Sequence, residues 1–383
     1  MLRFISLILI FAFIFSFNVY AVDLSVSASS AVLMVADTGE VVFEKNAYNK
    51  RSMASTTKIM TALLTAEQCT PQRVVVVTDH MVNVEGTSMG LLAGDKVTFH
   101  DLIYGMLLAS GNDAANTAAI AIDGSIEKFA KRMNNKAKEI GMTNTNFVTP
   151  SGLDDENHYS TAYDMALLGC YALRNSDFLK ACSSYRAKLC YGNEPYTRYL
   201  TNHNKLIKTF DGAIGIKTGF TKKSGRCLVS AAERDGVMLV CVTLNAPDDW
   251  NDHKKLLEYG FQNVTLKNFD VELPAVKIAG GSSADVSLCL SEPLQVAVYC
   301  SAEKIKTQFV LKQFEFAPVR SGEMLGEVRL LLDGTVIASS PLIASCDVEA
   351  VTVEKVKKPS LIERIKTFLK SIFKRKAGFF TGG

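Results

Sequence analysis

The apolar positions of this chain change period along its length, and each change marks a new kind of element. Residues 4–17 are an apolar run broken only by Ser6 and Ser16. Arg3 precedes the run and Val19-Tyr20-Ala21 follows it, so residues 1–21 read as a secretory signal removed near Val22. From 31 to 44, two short apolar runs flank Asp37-Thr38-Gly39 and predict a hairpin. Over 55–66 the spacing of Ile59, Met60, Leu63 and Leu64 predicts a helix. Residues 100–140 are predicted largely helical, with Leu102, Ile103, Met106 and Leu107, then an Ala-rich stretch, then Phe129, Met133 and Ala137 at helical spacing. A polar loop follows at 149–160 and another helix at 161–173.

After Ala213 the pattern turns to strands. Residues 214–218, 227–232 and 237–244 are short and apolar, and Asp235-Gly236 supplies a turn between the last two. A helix at 251–259 closes this part. A strand, then helices, then strands and a helix implies an antiparallel sheet whose first and last strands meet across a helical insertion, an α/β arrangement covering 22–262. From 268 to 353 the runs are short, alternating and separated by turn residues, which predicts a small all-β domain. At 361–373, Leu361, Ile362, Ile365, Phe368, Leu369, Ile372 and Phe373 form one helical stripe after Pro359-Ser360. This predicts a terminal amphipathic helix over 359–376.

Charge sharpens the last of these divisions. The 383 residues carry 42 Lys+Arg and 39 Asp+Glu, a net +3. Nine basic residues between Lys355 and Lys376 against the single acid Glu363 make that stretch +8, leaving −5 for everything else. A basic tail on an acidic body excludes a uniformly basic nucleic-acid binder. It favours an anionic membrane surface as the tail's partner. The 48% hydrophobic fraction excludes a disordered chain. Nine scattered cysteines with no C-x-x-C do not make a small disulfide scaffold. Several, including Cys241 and Cys300, lie in apolar runs and are expected to be small buried hydrophobes.

Three short constellations could carry chemistry. Ser55-Thr56-Thr57-Lys58 places a serine at a helix start with a lysine one turn on and on the same face. Burial and a neighbouring cation would lower that lysine's pKa until it could take the serine proton. Ser110-Gly111-Asn112, between helical stretches, offers a hydroxyl and an amide on a tight turn. Lys217-Thr218-Gly219, on a strand running into Phe220, offers groups for a carboxylate and, at Gly219, room for a substrate backbone. Each alone is weak. They occur in this order, with 55 and 107 residues between leading positions.

Together, and with the flanking Ala54, Ile59-Met60-Thr61, Leu108-Ala109, Asp113-Ala114-Ala115 and Gly215-Ile216, they resemble the penicillin-interacting serine acyltransferases. Within these the chain is similar to the low-molecular-weight D-alanyl-D-alanine carboxypeptidases, the S11 serine peptidase family. The resemblance implies a β-lactamase/transpeptidase-like fold, with the small β domain and amphipathic helix as the family's usual additions. It implies an exported enzyme at the outer face of the cytoplasmic membrane that removes the terminal D-alanine of peptidoglycan stem peptides. Ser55 would be the nucleophile, Lys58 its base and Ser110 its helper. Asn112 would contact the substrate amide, Lys217 and Thr218 its carboxylate. The backbone N–H groups of Ser55 and Phe220 would form an oxyanion hole. β-Lactams would acylate Ser55, and no metal or cofactor is implied. One departure stands out. Family members often carry an arginine just before the Lys-Leu-Leu of the closing helix, whereas here 248–257 contains none.

Other readings compete. Gly86-Thr87-Ser88-Met89-Gly90 fits the G-x-S-x-G nucleophile elbow, but lacks a clear strand before it and helix after it. A zinc peptidase needs clustered histidines, and the five here are never closer than 20 residues. A class A β-lactamase shares the triplets and would use a glutamate for deacylation, for which Glu156 lies in a suitable loop. A cell-wall-binding protein without turnover would need no intact triplets at all.

Overall fold

The computed structural model describes residues 24–351 and 360–377. The expected signal segment 1–21 and the basic residues Lys355, Lys357 and Lys358 lie outside the described residues, as do the side chains of Ile372 and Phe373. The chain forms two compact units. The first runs to Asn268 and also includes Gln295–Ile305 and Leu332–Ile337. The second comprises Phe269–Leu294, Lys306–Leu331 and the residues from Ala338 onward.

The first unit is built on a five-stranded antiparallel sheet. Its strands are β1 (Ser30–Val35), β2 (Val41–Lys45), β3 (Ala213–Thr221), β4 (Gly225–Arg234) and β5 (Val237–Leu244). They stand in the order β2-β1-β5-β4-β3. Ser30 lies opposite Leu244 and Val35 opposite Leu239, so the first strand does meet the last across the helical insertion. The unbroken apolar run of β1 has a simple cause. Successive side chains point to opposite faces, and here both faces are covered. Val32 and Met34 enter one apolar cluster, while Ala31, Leu33 and Val35 enter another.

The helices of the insertion cover the first face. The longer of them are α1 (Lys58–Gln68), α2 (Phe99–Leu107), α3 (Asn112–Asp123), α4 (Ile126–Ile140) and α5 (Ala162–Ala172), with shorter ones at Asp79–Val82 and Ser176–Ser183. The expected apolar positions, from Ile59 through Leu107 and Met133, are buried in this cluster. Thr98 and Asp101 cap α2 reciprocally, each side chain bonding the other's backbone N–H, which fixes where that helix starts. The other face is covered by α6 (Asp249–Asn263), through Leu256 and Leu257. A Cβ at Gly260 would stand 2.5 Å from Leu239 Cδ1 and 2.8 Å from Leu33 Cδ2, so any larger residue there would have to displace these two leucine side chains.

The chain differs from expectation at three places, of which the first matters below. Ser55 is not in the α-helix. Ala54–Thr57 form a single 3-10 turn and α1 begins at Lys58. The cause is local: Thr56 Oγ1 donates to the Met53 carbonyl (2.6 Å) and Thr57 Oγ1 to that of Ala54 (2.8 Å). Hydroxyls that capture nearby carbonyls offer the backbone an alternative to the α-helical ladder. A hairpin, Arg186–Tyr191 with Tyr196–Thr201, also forms in a stretch for which no element is predicted. All nine cysteines are free thiols. Cys170, Cys182, Cys227 and Cys241 are buried, as expected of small hydrophobes, but Cys300 is exposed.

The second unit is β-rich. Val276–Ala279 pairs with Asp285–Val286 and with Phe314–Phe316. Lys306–Leu311 runs antiparallel to Gly326–Leu331, and Leu288–Leu290 antiparallel to Leu342–Ala344. The last element is α7 (Leu361–Ala377). Ser360 Oγ accepts from the Glu363 N–H (3.2 Å) and the Glu363 carboxylate from the Ser360 N–H (2.8 Å), a reciprocal cap at the anticipated start. Leu361, Ile362, Ile365, Phe368 and Leu369 are all exposed. Among the described residues no helix is long and apolar enough to cross a membrane.

Candidate active site

Ser55, Ser110, Asn112, Thr218, Gly219 and Phe220 all line one cleft of about 850 Å³ in the first unit. The three constellations, far apart in sequence, therefore meet. Lys58 and Lys217 lie behind the cleft wall, both buried. Ser88 and Glu156 do not line it.

The centre of the site is the Lys58 amine. Its Nζ lies 3.0 Å from Ser55 Oγ, 2.7 Å from Asn112 Oδ1 and 2.6 Å from the Ser151 carbonyl oxygen. Lys58 is wholly buried. Desolvation, aided by the Lys217 charge and opposed by Asp113, holds its pKa well below the usual lysine value. A neutral amine has two hydrogens and one lone pair. The Asn112 and Ser151 oxygens can only accept, so they take both hydrogens. Asn112 is fixed in this orientation because its Nδ2 donates to the Glu85 carbonyl (2.6 Å). The lone pair is left for the Ser55 hydroxyl. The arrangement can therefore draw a proton from Ser55, which lines the cleft.

Strand β3 forms the facing wall. A Cβ at Gly219 would stand 3.0 Å from the backbone nitrogens of both Ser55 and Thr56. Glycine thus lets the strand backbone lie directly against the serine turn. Thr218 faces the cleft. Lys217 does not: its Nζ donates to the Thr218 carbonyl (2.8 Å), and burial lowers its pKa to about 7. Ser110 sits at φ +60°, a left-handed conformation that a serine rarely adopts. Its carbonyl accepts from Thr87 Oγ1 (2.5 Å).

Two groups that sequence reasoning missed hold this geometry. Asp113, buried beside Asn112, accepts from Ser88 Oγ (2.5 Å) and from the backbone N–H groups of Met89, Gly90 and Leu91 (2.9–3.1 Å). It pins the Gly86–Gly90 segment against α3. The only signal was its place next to the Ser110-Gly111-Asn112 turn. Arg226 also lines the cleft, with Nε and Nη2 donating to Asp249 Oδ1 at 2.9 and 2.7 Å.

The competing readings lose their key residues here. Ser88 spends its hydroxyl on Asp113 rather than on a base. Glu156 is exposed and outside the cleft. His158 is buried, with Nδ1 accepting from the Val148 N–H (2.9 Å) and Nε2 against Thr57 Oγ1 (2.8 Å). Burial lowers its pKa to about 4, so it stays neutral and props the serine turn. His253 is likewise enclosed, between Ser230 and Thr243.

The chain is similar to known proteins over most of its length. The family described as D-alanyl-D-alanine carboxypeptidase, Peptidase_S11, matches residues 18–248, and the penicillin-binding protein 5 C-terminal domain matches 261–350. The chain is 34% identical to D-alanyl-D-alanine carboxypeptidase DacF of Bacillus subtilis, over 85% of this chain and 87% of that one. It is 32% identical to D-alanyl-D-alanine carboxypeptidase DacC of Escherichia coli, over 88% and 90%. Among solved structures it is similar to penicillin binding protein 5 of Haemophilus influenzae, with a TM-score of 0.61 and 28% identity, over 85% of this chain and 98% of that one.

Proposed function

The chain belongs to the S11 family of D-alanyl-D-alanine carboxypeptidases, and from that membership we propose which of its residues perform the reaction. The enzyme is a serine-type D-Ala-D-Ala carboxypeptidase with a penicillin-binding protein 5-type C-terminal β domain. Its substrate is the peptidoglycan stem peptide ending in D-Ala-D-Ala.

Ser55 attacks the carbonyl between the two D-alanines, and Lys58 takes its proton. The carbonyl oxygen becomes an oxyanion held by the backbone N–H groups of Ser55 and Phe220, each worth roughly 3–4 kcal/mol in the transition state. The C–N bond then breaks. The departing D-alanine amine receives the proton by way of Lys58 and Ser110, and water later hydrolyses the acyl-Ser55 ester. Asn112 contacts the substrate amide, while Thr218 meets the terminal carboxylate. The observation that carries this reading is the buried Lys58 amine 3.0 Å from Ser55 Oγ, with the Asn112 and Ser151 oxygens at 2.7 and 2.6 Å on the same nitrogen.

β-Lactams present a strained amide to the same serine and should stay bound as stable esters. A fluorescent penicillin should label the native chain, and Ser55→Ala should lose both the label and the release of D-alanine from a pentapeptide. Label persisting at full intensity on Ser55→Ala would sink the assignment.

The division 22–262 for the catalytic domain and 268–353 for the β domain is part of the same proposal, supported by the two family matches. So are export by residues 1–21 and attachment to an anionic membrane surface through 359–376. The exposed apolar stripe of α7 and its Lys366 and Lys370 support that attachment. Each basic residue near such a surface contributes roughly 1 kcal/mol.

A further inference from the structure

The missing arginine of the closing helix leaves the substrate carboxylate short of a cation. Lys217 is a poor substitute, because it is buried with its ammonium turned onto the Thr218 carbonyl. The exposed cations in the cleft are Lys205, Lys222 and the half-buried Arg226. Only Arg226 is held in one orientation. Its Nε and Nη2 donate to Asp249 Oδ1, and the Asp249 side chain is only 3% exposed. The guanidinium also lies 5.6 Å from the Trp250 ring, another cleft residue.

The strand register puts Arg226 beside the carboxylate-binding residues. Arg226 lies directly opposite Phe220, and Thr218 is two residues along the same strand. Directly opposed and diagonal partners share one face of a sheet, within reach of a long side chain. Among the described residues no hydrogen bond takes Nη1 of Arg226, so one edge of the guanidinium stays available. A guanidinium presents its donors in a rigid planar fork that matches a carboxylate, and a partner that fixes the fork reduces what is lost on binding.

We propose that Arg226, oriented by Asp249, binds the terminal carboxylate of the substrate together with Thr218, in place of an arginine from the closing helix. The proposal rests on the Ser55 acyl-enzyme reading and names the specificity determinant of that site. In this chain the arginine comes from strand β4 and the closing helix supplies the aspartate that aims it. The requirement for a free C-terminal carboxylate, which defines a carboxypeptidase, then resides on β4.

The test compares an acyl-D-Ala-D-Ala peptide with the same peptide carrying a C-terminal amide. The measured quantity is the ratio of kcat/KM for acid over amide, which cancels any change in the fraction of folded enzyme. In Arg226→Gln that ratio should fall about 10- to 100-fold, the range for a lost hydrogen bond to a charged group. Lys205→Ala and Lys222→Ala should leave it within about twofold of the native ratio. Exchanging the pair, Arg226→Asp with Asp249→Arg, should restore most of the preference by returning a guanidinium to the cleft. An unchanged ratio in Arg226→Gln, or a selective fall in either lysine variant instead, would overturn the proposal. Ser55→Ala run in parallel separates the two claims: turnover surviving there rejects the acyl-enzyme reading, whatever Arg226 does.

Discussion

Helices α1 and α7 carry the same sequence pattern and meet opposite fates. Each has an apolar stripe at helical spacing and lysine among its polar positions, one in α1 and several in α7. In α1 the stripe of Ile59, Met60, Leu63 and Leu64 is essentially inaccessible, and Lys58 goes inside with it. In α7 Leu361 is 74% and Phe368 65% exposed, and Lys366 and Lys370 stand in solvent. The difference teaches where lysine acquires chemistry. A solvated lysine is a permanent point charge, fit for an anionic surface. A lysine without water, beside a second buried cation, loses its proton easily and becomes a base. Periodicity predicts both helices but is silent on which stripe will be covered.

The sharpest way to break the comparison is to give α1 a charge that burial cannot remove. Lys58→Arg keeps a cation and much of the length, but guanidinium stays protonated under all working conditions. Turnover should drop by about 10³-fold or more, the scale on which a catalytic base is lost, as measured by D-alanine release. On the proposed roles, native kcat/KM rises with pH as Lys58 gives up its proton. Buried Lys217 also gives up its proton above about 7. The stability sign follows from the same shift. Between about 7 and 10.5 the unfolded chain binds the Lys217 proton more tightly than the folded one. Unfolding free energy therefore rises with pH across that window and is lost as pH falls toward 7. Replacing Lys217 by Met should flatten that rise in a series of thermal melts.

A smaller effect sharpens the comparison at the apolar positions. Leu63→Ala in α1 removes a fully buried side chain from the main cluster and should cost about 2–5 kcal/mol by denaturant unfolding. A cost below about 0.5 kcal/mol would mean that α1 is far less tightly covered than its burial indicates.

What was legible in the sequence divides along the same line. Local patterns were readable: the β1–β2 hairpin, the helices of the insertion, the Ser360 cap, and the three triplets whose residue types and spacing suit acyl transfer. The order of elements implied that β1 and β5 pair, and they do. Contacts made across long stretches of chain were not readable. Nothing near Lys58 announces that the Ser151 carbonyl will bind its amine, or that Asp113 will hold the loop around Ser88. Nothing near Arg226 announces Asp249. These partners are set by the packing of α3 and α6 and by where the 149–160 loop returns to α1. No local propensity encodes such facts. The 3-10 turn at Ser55 was missed for a different reason, since two threonine hydroxyls override a pattern that is otherwise helical.

The smallest effect on the folded enzyme belongs to α7, and it completes the comparison. Phe368→Ala removes an aromatic side chain that touches water rather than core, so unfolding free energy should move by less than about 0.5 kcal/mol. Turnover of a soluble peptide should not change. Binding to vesicles containing anionic lipid is where the residue should count. Burying a phenylalanine side chain is worth about 1.5–3 kcal/mol, so the partition constant should fall about tenfold or more. Raising the salt concentration should weaken the native partition further, because the lysines act through a screened field. If Phe368→Ala instead destabilised the chain as Leu63→Ala does, with partition unaltered, α7 would be a packed helix like α1, and the distinction between a covered stripe and an available one would fail.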